Sequence, residues 1–243
     1  MDALIYTVMS GAERSLREQQ VRANNLANAD TPGFRADKSF ATAMRTPGYG
    51  YDARHMSELS ANGVSERAGP IRETGRELDV AITGEGYLAV RHAGGEAYAR
   101  AGGIAIDAEG MLTVNGRPLL GDGGPIVLPP SARVQIGADG TVSVLPPGQA
   151  DMQPVDRLKL VKPEPGALVK NEAGLLVPRD PRAGALPMDE TVQVKAGYLE
   201  GSNVSAVEEM VATMATSRDF EIQMKLYAAA ERMAQAGDRL VRG

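Results

Sequence analysis

Asn24-Asn25-Leu26-Ala27-Asn28-Ala29-Asp30-Thr31-Pro32-Gly33-Phe34 divides the chain into two kinds of sequence. Upstream of it, Ile5, Met9, Ala12, Leu16, Gln19, Ala23 and Leu26 follow steps of four and three. That is the 3.5-residue repeat of a narrow coiled-coil seam, not the wider stripe of a globular helix. Asp2 is placed to cap the start and Asn28 to stop the helix, giving a rod of roughly 40 Å at 1.5 Å per residue. Asp30-Thr31-Pro32-Gly33 then reads as a turn, with Pro setting the first corner and Gly allowing positive φ at the second.

The far end repeats the pattern. Ser205 and Glu208 have capping-box spacing, and Val204, Val207, Val211 and Met214 step by three and four. Ile222, Leu226, Ala229, Met233, Ala236 and Leu240 resume the rhythm, but Arg218 falls between the two runs and inserts an extra four-residue interval. Such a stutter locally relaxes a left-handed supercoil. The Asn203-Val204-Ser205 sequon sits at this helix start, where capping is the simpler job.

Between these ends the punctuation changes. The chain carries 28 Gly and 15 Pro, about 18% of its residues against roughly 12% in average usage. Met1 to Asn28 and Ser202 to Arg242 hold one Gly each and no Pro, so the middle takes nearly all of them. Leu78 to Ile82, Tyr87 to Val90, Met111 to Val114, Val134 to Ile136, Thr141 to Leu145, Leu158 to Val161 and Thr191 to Lys195 are strand candidates, several with period-two alternation. Gly94-Gly95, Glu109-Gly110, Asn115-Gly116 and Asp139-Gly140 supply the positive φ angles of tight turns between them. The expected fold is α+β, with long N- and C-terminal α-helices forming a coiled-coil-like assembly domain and a central antiparallel all-β domain. Its expected parts are 1–45 (helix and turn), 46–77 (extended linker, marked by Pro47-Gly48-Tyr49-Gly50 and Asn62-Gly63), 78–199 (β domain) and 200–243 (helix).

Composition narrows the function. With 31 acidic against 26 basic residues the net charge is -5, too acidic for a dedicated nucleic-acid binder. The absence of Cys removes thiolate nucleophiles and Cys-containing zinc sites, and only His55 and His92 could serve a triad or a His-based metal site. Gly84-Glu85-Gly86 lacks the third Gly and the following helix of a phosphate loop, and Asp107-Ala108-Glu109-Gly110 lacks the remaining ligands of a calcium loop. No catalytic, cofactor-binding or metal residues are therefore expected, and no small-molecule substrate. No apolar run approaches 18 residues and the first basic residue is Arg14, so neither membrane insertion nor a cleaved secretory signal is expected. A carbohydrate-binding β module on a helical stalk is an alternative, but it would need an aromatic groove, and the chain has three Phe, seven Tyr and no Trp.

The seams themselves point to association. Burying a seam Leu or Ile is worth about 1.5–3 kcal/mol, and a lone two-helix pair would leave much apolar surface wet. Ile5, Met9, Leu16, Leu26, Val204, Val207, Val211, Met214, Ile222, Leu226, Met233 and Leu240 are the candidate assembly contacts. Asn24, Asn25 and Asn28 join them, either as helix-terminating residues or as amides that fix register across subunits. Met on these faces suits core packing or contacts that vary between neighbours. Arg218, Lys225, Arg232 and Arg239 recur every seven residues as a basic ridge, either solvated or facing acidic neighbours or a polar channel.

The stretch that opens this reading, Asn24 to Phe34, resembles the signature that closes the N-terminal helix of bacterial flagellar rod and hook proteins. Leu78-Asp79-Val80-Ala81-Ile82-Thr83-Gly84-Glu85-Gly86-Tyr87 is similar to that family's entry into its middle domain, and Tyr98-Ala99-Arg100-Ala101-Gly102 to its next hairpins. Gly201-Ser202-Asn203-Val204, continuing to Arg218-Asp219-Phe220-Glu221, resembles its C-terminal helix. Met1 to Thr7 and Met9 to Ala12 look most like proximal-rod members, with distal-rod and hook-type subunits as the near alternatives. The resemblance implies a structural subunit that assembles with itself and other axial proteins into a rod spanning the periplasm, transmitting torque and enclosing the export channel. It also implies passage through the flagellar type III apparatus, no cofactor, and terminal helices that order on assembly.

Overall fold

The computed structural model describes residues 2–45 and 55–242. The described residues contain two helices, α1 (Asp2–Ala27) and α2 (Ala206–Arg242), with short strands between them. The chain divides into two compact units, one built from Met1–Ala27, Asp37–Gly63 and Ser205–Gly243, the other from Asn28–Ala36 and Val64–Val204. Neither described helix is long and apolar enough to cross a membrane.

The second unit is the β body. A five-stranded antiparallel sheet runs in the order Leu160–Val161, Tyr87–His92, Gly95–Ala99, Leu176–Pro178, Leu168–Lys170. Arg133–Ile136, Thr141–Leu145 and Gln153–Arg157 form a three-stranded sheet, and Val80–Thr83 pairs with Gln193–Ala196. Strand alternation sends Val134, Ile136, Val142 and Val144 into one core with Val80, Ile82, Leu88, Val90, Ile104 and Leu112. Asn115 and Gly116, at φ 51° and 74°, make the tight turn that lets Val114 pair with Arg117. At the neighbouring hairpin the turn is Ala93-Gly94, one residue earlier than the Gly-Gly pair suggests, because His92 pairs with Gly95. His55–Val64 and Ile71–Glu73, inside the span read from its turns as a linker, are strands, paired with Asp37–Arg45 and Tyr198–Glu200 respectively. Pro47-Gly48-Tyr49-Gly50 lie outside the described residues.

The helices of the first unit start and stop near the expected places. Ser205 Oγ accepts the Glu208 N–H at 3.4 Å, and Glu208 and Glu209 lie in the first turn of α2, where the helix dipole favours negative charge. The coiled-coil-like pair expected from the apolar heptads is not formed. Most of the seam is solvent-exposed: Val207 is 73% exposed, Met214 59% and Ile222 53%, and Met9, Leu16, Val211, Leu226 and Met233 are similar. The helices meet through other faces. On α1 the buried residues are Val8, Ser15 and Asn25, and on α2 they are Glu209, Thr216 and Ala230.

The chemistry of this contact face explains why the apolar stripe is left outside. Ser15 Oγ donates to the Gly11 carbonyl, Thr213 Oγ1 to that of Glu209 and Thr216 Oγ1 to that of Ala212, at 3.2, 2.7 and 3.0 Å. Each hydroxyl is satisfied within its own helix, so the side chain packs as a small group. Gly11 has no room to spare, since a Cβ there would lie 3.1 Å from Gln223 Oε1. Between the helices Gln19 Nε2 donates to Ser217 Oγ at 3.4 Å, and Arg22 pairs with Glu209 at 3.2 Å. A 3.5-residue apolar period shows that a stripe exists, but here small size and matched polar groups select the face that pairs.

In the β body Tyr98 is fully buried, donating its hydroxyl to Glu96 at 3.2 Å and accepting the Leu186 N–H at 2.8 Å. Burial pushes its phenol up to about 12, against the opposing Leu186 hydrogen bond and with Glu96 adding to the rise. The folded value lies above the ordinary 10.0, so the phenol's contribution to stability is complete below pH ~10 and is lost as pH climbs towards 12. Urea midpoints should therefore fall between pH ~10 and ~12, and fall less in Tyr98→Phe. An equal fall in both proteins would contradict this.

Candidate functional site

The signature turn after α1 is held by the β body. Thr31 N–H reaches the Asn28 carbonyl at 3.2 Å, and Thr31 Oγ1 donates to Asn28 Oδ1 at 3.1 Å. Gly33 adopts φ 69° and donates its N–H to the Glu200 carbonyl at 2.8 Å. A Cβ at Gly33 would lie 2.2 Å from the Ala101 nitrogen, so both its conformation and its close approach require glycine.

Beneath this turn lies a buried ionic cluster. Glu200, whose side chain is 1% exposed, receives Arg35 at 2.9 Å on one oxygen and Arg100 at 2.6 Å on the other, with those guanidinium groups 4% and 2% exposed. Glu200 Oε1 also accepts the Gly69 N–H at 2.9 Å. Arg100 donates further to the carbonyls of Gly84, at 2.6 Å, and Gly86, so the Gly84-Glu85-Gly86 turn presents backbone oxygens to a guanidinium, not N–H groups to a phosphate. Arg35 donates to the carbonyls of Glu66 and Arg67. Desolvation lowers the Arg35 pKa and Arg100 reinforces the fall, while Glu200 opposes it.

Asn203 completes the junction. Its Oδ1 accepts the Ala36 N–H at 2.7 Å, its Nδ2 donates to the carbonyls of Arg67 at 2.7 Å and Ser65 at 3.3 Å, and its backbone N–H reaches the Phe34 carbonyl at 3.2 Å. Three chain passes, near residues 35, 66 and 202, are thus bound by one carboxylate and one amide.

In the helical unit a second polar clamp centres on Asn25. Its Oδ1 accepts the Asp37 N–H at 2.8 Å, and its Nδ2 donates to the Asp37 carbonyl at 3.0 Å and to Glu209 Oε1 at 3.3 Å. Asn25 is 1% exposed. Its amide is used within the chain, joining α1, α2 and the start of the strand Asp37–Arg45. Asn24 is exposed and donates to Asp37 Oδ2 at 3.2 Å.

The other sequence-selected residues fall in three places. Met9, Leu16, Val207, Val211, Met214, Ile222, Leu226 and Met233 are exposed, while Leu26, Asn28 and Val204 are half-buried. The side chains of Ile5 and Leu240 lie outside the described ones. On α2 the exposed apolar residues follow one stripe, and the residues turned towards α1 (Glu209, Thr213, Thr216, Phe220, Gln223, Tyr227 and Ala230) follow another, stepping by four and three without a stutter. At 100° per residue the two stripes occupy different sides of the helix. Arg218, Lys225, Arg232 and Arg239 are exposed and run beside the apolar stripe. Arg35, Arg100, Glu200 and Glu209 were not singled out by sequence reading. Their one signal was charge inside turn-rich, motif-bearing blocks with no other task for it. Among the described residues no cluster of His, Asp and Glu could hold a metal ion.

Three family models match the chain: Flagella basal body rod protein over residues 5–35, the Flagellar hook protein FlgE/F/G D1 domain over 81–144, and Flagellar basal body rod FlgEFG protein C-terminal over 195–240. The flagellar basal-body rod protein FlgF of Escherichia coli is 40% identical, the alignment covering 99% of each chain. The chain belongs to the FlgF family. The Salmonella typhimurium FlgF is 39% identical over 93% of each chain, whereas the Brucella abortus hook protein FlgE is 34% identical over 39% of this chain and 24% of its own. As a FlgF family member, the chain is a structural subunit of the flagellar basal-body rod. Each of the three matched segments contributes one member of the ionic cluster: Arg35 closes the first, Arg100 lies in the second and Glu200 in the third.

Replacing Glu200 by Gln would leave two buried guanidinium groups without a counter-charge. Breaking a buried pair this way costs about 3–5 kcal/mol. Urea unfolding of E200Q should show a loss of that size, and a loss below about 1 kcal/mol, as for an exposed pair, would contradict the assigned role.

Proposed function

We propose that the outward stripe of α2 (Val207, Val211, Met214, Ile222, Leu226 and Met233), together with Ile5, Met9, Leu16, Leu26, Val204 and Leu240, is the surface by which this subunit assembles with copies of itself and with other axial proteins of the rod. The observation that carries the reading is the exposure of so many large apolar side chains on a helix whose other face already pairs with α1. A contiguous apolar patch of this kind marks an association site. Asn24, Asn25 and Asn28 support the surface by fixing the end of α1.

In the assembled rod these helices form the inner tube around the export channel and the β bodies the outer layer, and many such contacts acting together transmit torque. The near-complete overlap with FlgF chains, against the partial overlap with hook proteins, favours the proximal rod. The role is mechanical and not catalytic, and the subunit reaches its place through the flagellar type III export apparatus.

Substituting Asp for both Met214 and Ile222 tests the proposal. Exposed positions of an isolated subunit tolerate such changes within about 0.5 kcal/mol, so the double variant should unfold like the wild type. Desolvating two carboxylates against a neighbour should instead block incorporation, leaving cells non-motile with incomplete basal bodies. Normal swimming with the variant present in purified rods would overturn it.

A further inference from the structure

The outward face of α2 carries a charge at its centre. Arg218 lies one turn from both Met214 and Ile222, which are 59% and 53% exposed, so the three share one face. Arg218 is itself exposed, and among the described residues it makes no hydrogen bond or ion pair. Any neighbour that covers Met214 and Ile222 therefore takes water from this guanidinium as well. A cation desolvated in that way needs a carboxylate opposite it.

The outward face of α1 offers one. Glu13 stands one turn from Met9 and from Leu16, which are 59% and 45% exposed, and it is the one exposed carboxylate among the described side chains of α1. It pairs with Arg17, four residues on, but both side chains are more than half exposed, and such a surface pair contributes little. Within one chain Glu13 and Arg218 point away from each other. Glu13 lies two residues before Ser15, and Arg218 two residues after Thr216, and both of those hydroxyl residues are buried. At 100° per residue, a step of two carries each charge about 200° around its helix, onto the far side.

We propose that α1 of one copy of this chain docks its outward face on the α2 stripe of a second copy, Glu13 of the first pairing with Arg218 of the second, an arrangement that rests on the stripe being the assembly surface. Met9 and Leu16 then cover Met214 and Ile222 on either side of the ion pair. A single polar pair inside an apolar seam fixes the register of docking. The contact joins two unlike surfaces, so it runs head to tail. Each copy that presents Arg218 to one neighbour turns its own Glu13 towards the next, and repetition gives an open helical array in place of a closed dimer. An antiparallel stripe-on-stripe contact would instead lay the basic ridge of one copy along that of the other, like charge beside like.

The chain has no Cys, so cysteines placed at these two positions report on contacts between its own copies. Basal bodies are purified from cells whose subunit is E13C, R218C or E13C/R218C, and are then oxidised. The expected result is a ladder of cross-linked multimers of this chain in the double variant and none in either single variant. No ladder from assembled double-variant subunits, or dimers from R218C alone, would overturn the pairing. If the double-cysteine variant does not assemble, charge exchange decides. R218E should lower the amount of subunit recovered in basal bodies about tenfold, the loss of one hydrogen bond to a charged group, and E13R/R218E should restore it. No restoration would overturn the pairing. Either contrary result, combined with blocked incorporation of M214D/I222D, would remove the pairing and leave the assembly surface standing, whereas normal incorporation of M214D/I222D would remove both.

Discussion

One neighbouring helix can cover only one side of α2, and the side that α1 covers carries the polar groups Glu209, Thr213 and Thr216 beside Phe220, Tyr227 and Ala230. Glu209 takes Arg22 and Asn25, Ser217 takes Gln19, and Thr213 and Thr216 turn their hydroxyls back onto their own helix. This contact is specific because the carboxylate of Glu209 and the amide of Asn25 are buried with set partners, and a buried charge or amide tolerates few alternatives. It leaves the chain's most apolar helical stripe in water. Covering each of those side chains offers about 1.5–3 kcal/mol, part of which is spent on ordering and desolvation when a partner docks. A subunit built this way joins its two helices largely through polar groups and leaves its apolar stripe exposed.

The β body applies a different device to hold distant stretches of its chain together. Glu200, Arg35 and Arg100 come from regions far apart in sequence, and their desolvation is offset only if all three are present with their backbone partners. The ordered turn at Gly33, the close pass against Ala101 and the four hydrogen bonds of Asn203 surround that cluster. Such a cluster gives a single arrangement of the passes near residues 35, 66 and 202, since a carboxylate between two guanidinium groups cannot be exchanged for a greasy contact without leaving a charge bare.

Much of the fold was legible because it follows from local rules. Helix ends at Ala27 and Ser205, the Pro32-Gly33 turn, the Asn115-Gly116 hairpin and the inward alternation of Val134, Ile136, Val142 and Val144 each depend on a few adjacent residues. The family was legible from motifs at both ends and in the middle. The pairing face of the helices was not, because periodicity reports that Met214 and Ile222 share a stripe and says nothing of what lies against it. Nor was the ionic cluster, whose members sit at positions 35, 100 and 200 with no shared spacing. Asn25 was visible as a helix-terminating residue, but its two-point grip on Asp37 depends on where the following strand returns.

Methionine oxidation footprinting addresses the central claim most directly, comparing the purified subunit with intact basal bodies. Met214 and Met233 lie on the outward stripe at 59% and 56% exposure, so both should oxidise readily in the free protein and be strongly protected in the rod. Equal oxidation of the two residues before and after assembly would mean that the stripe stays in water, and that the subunit joins the rod by another surface.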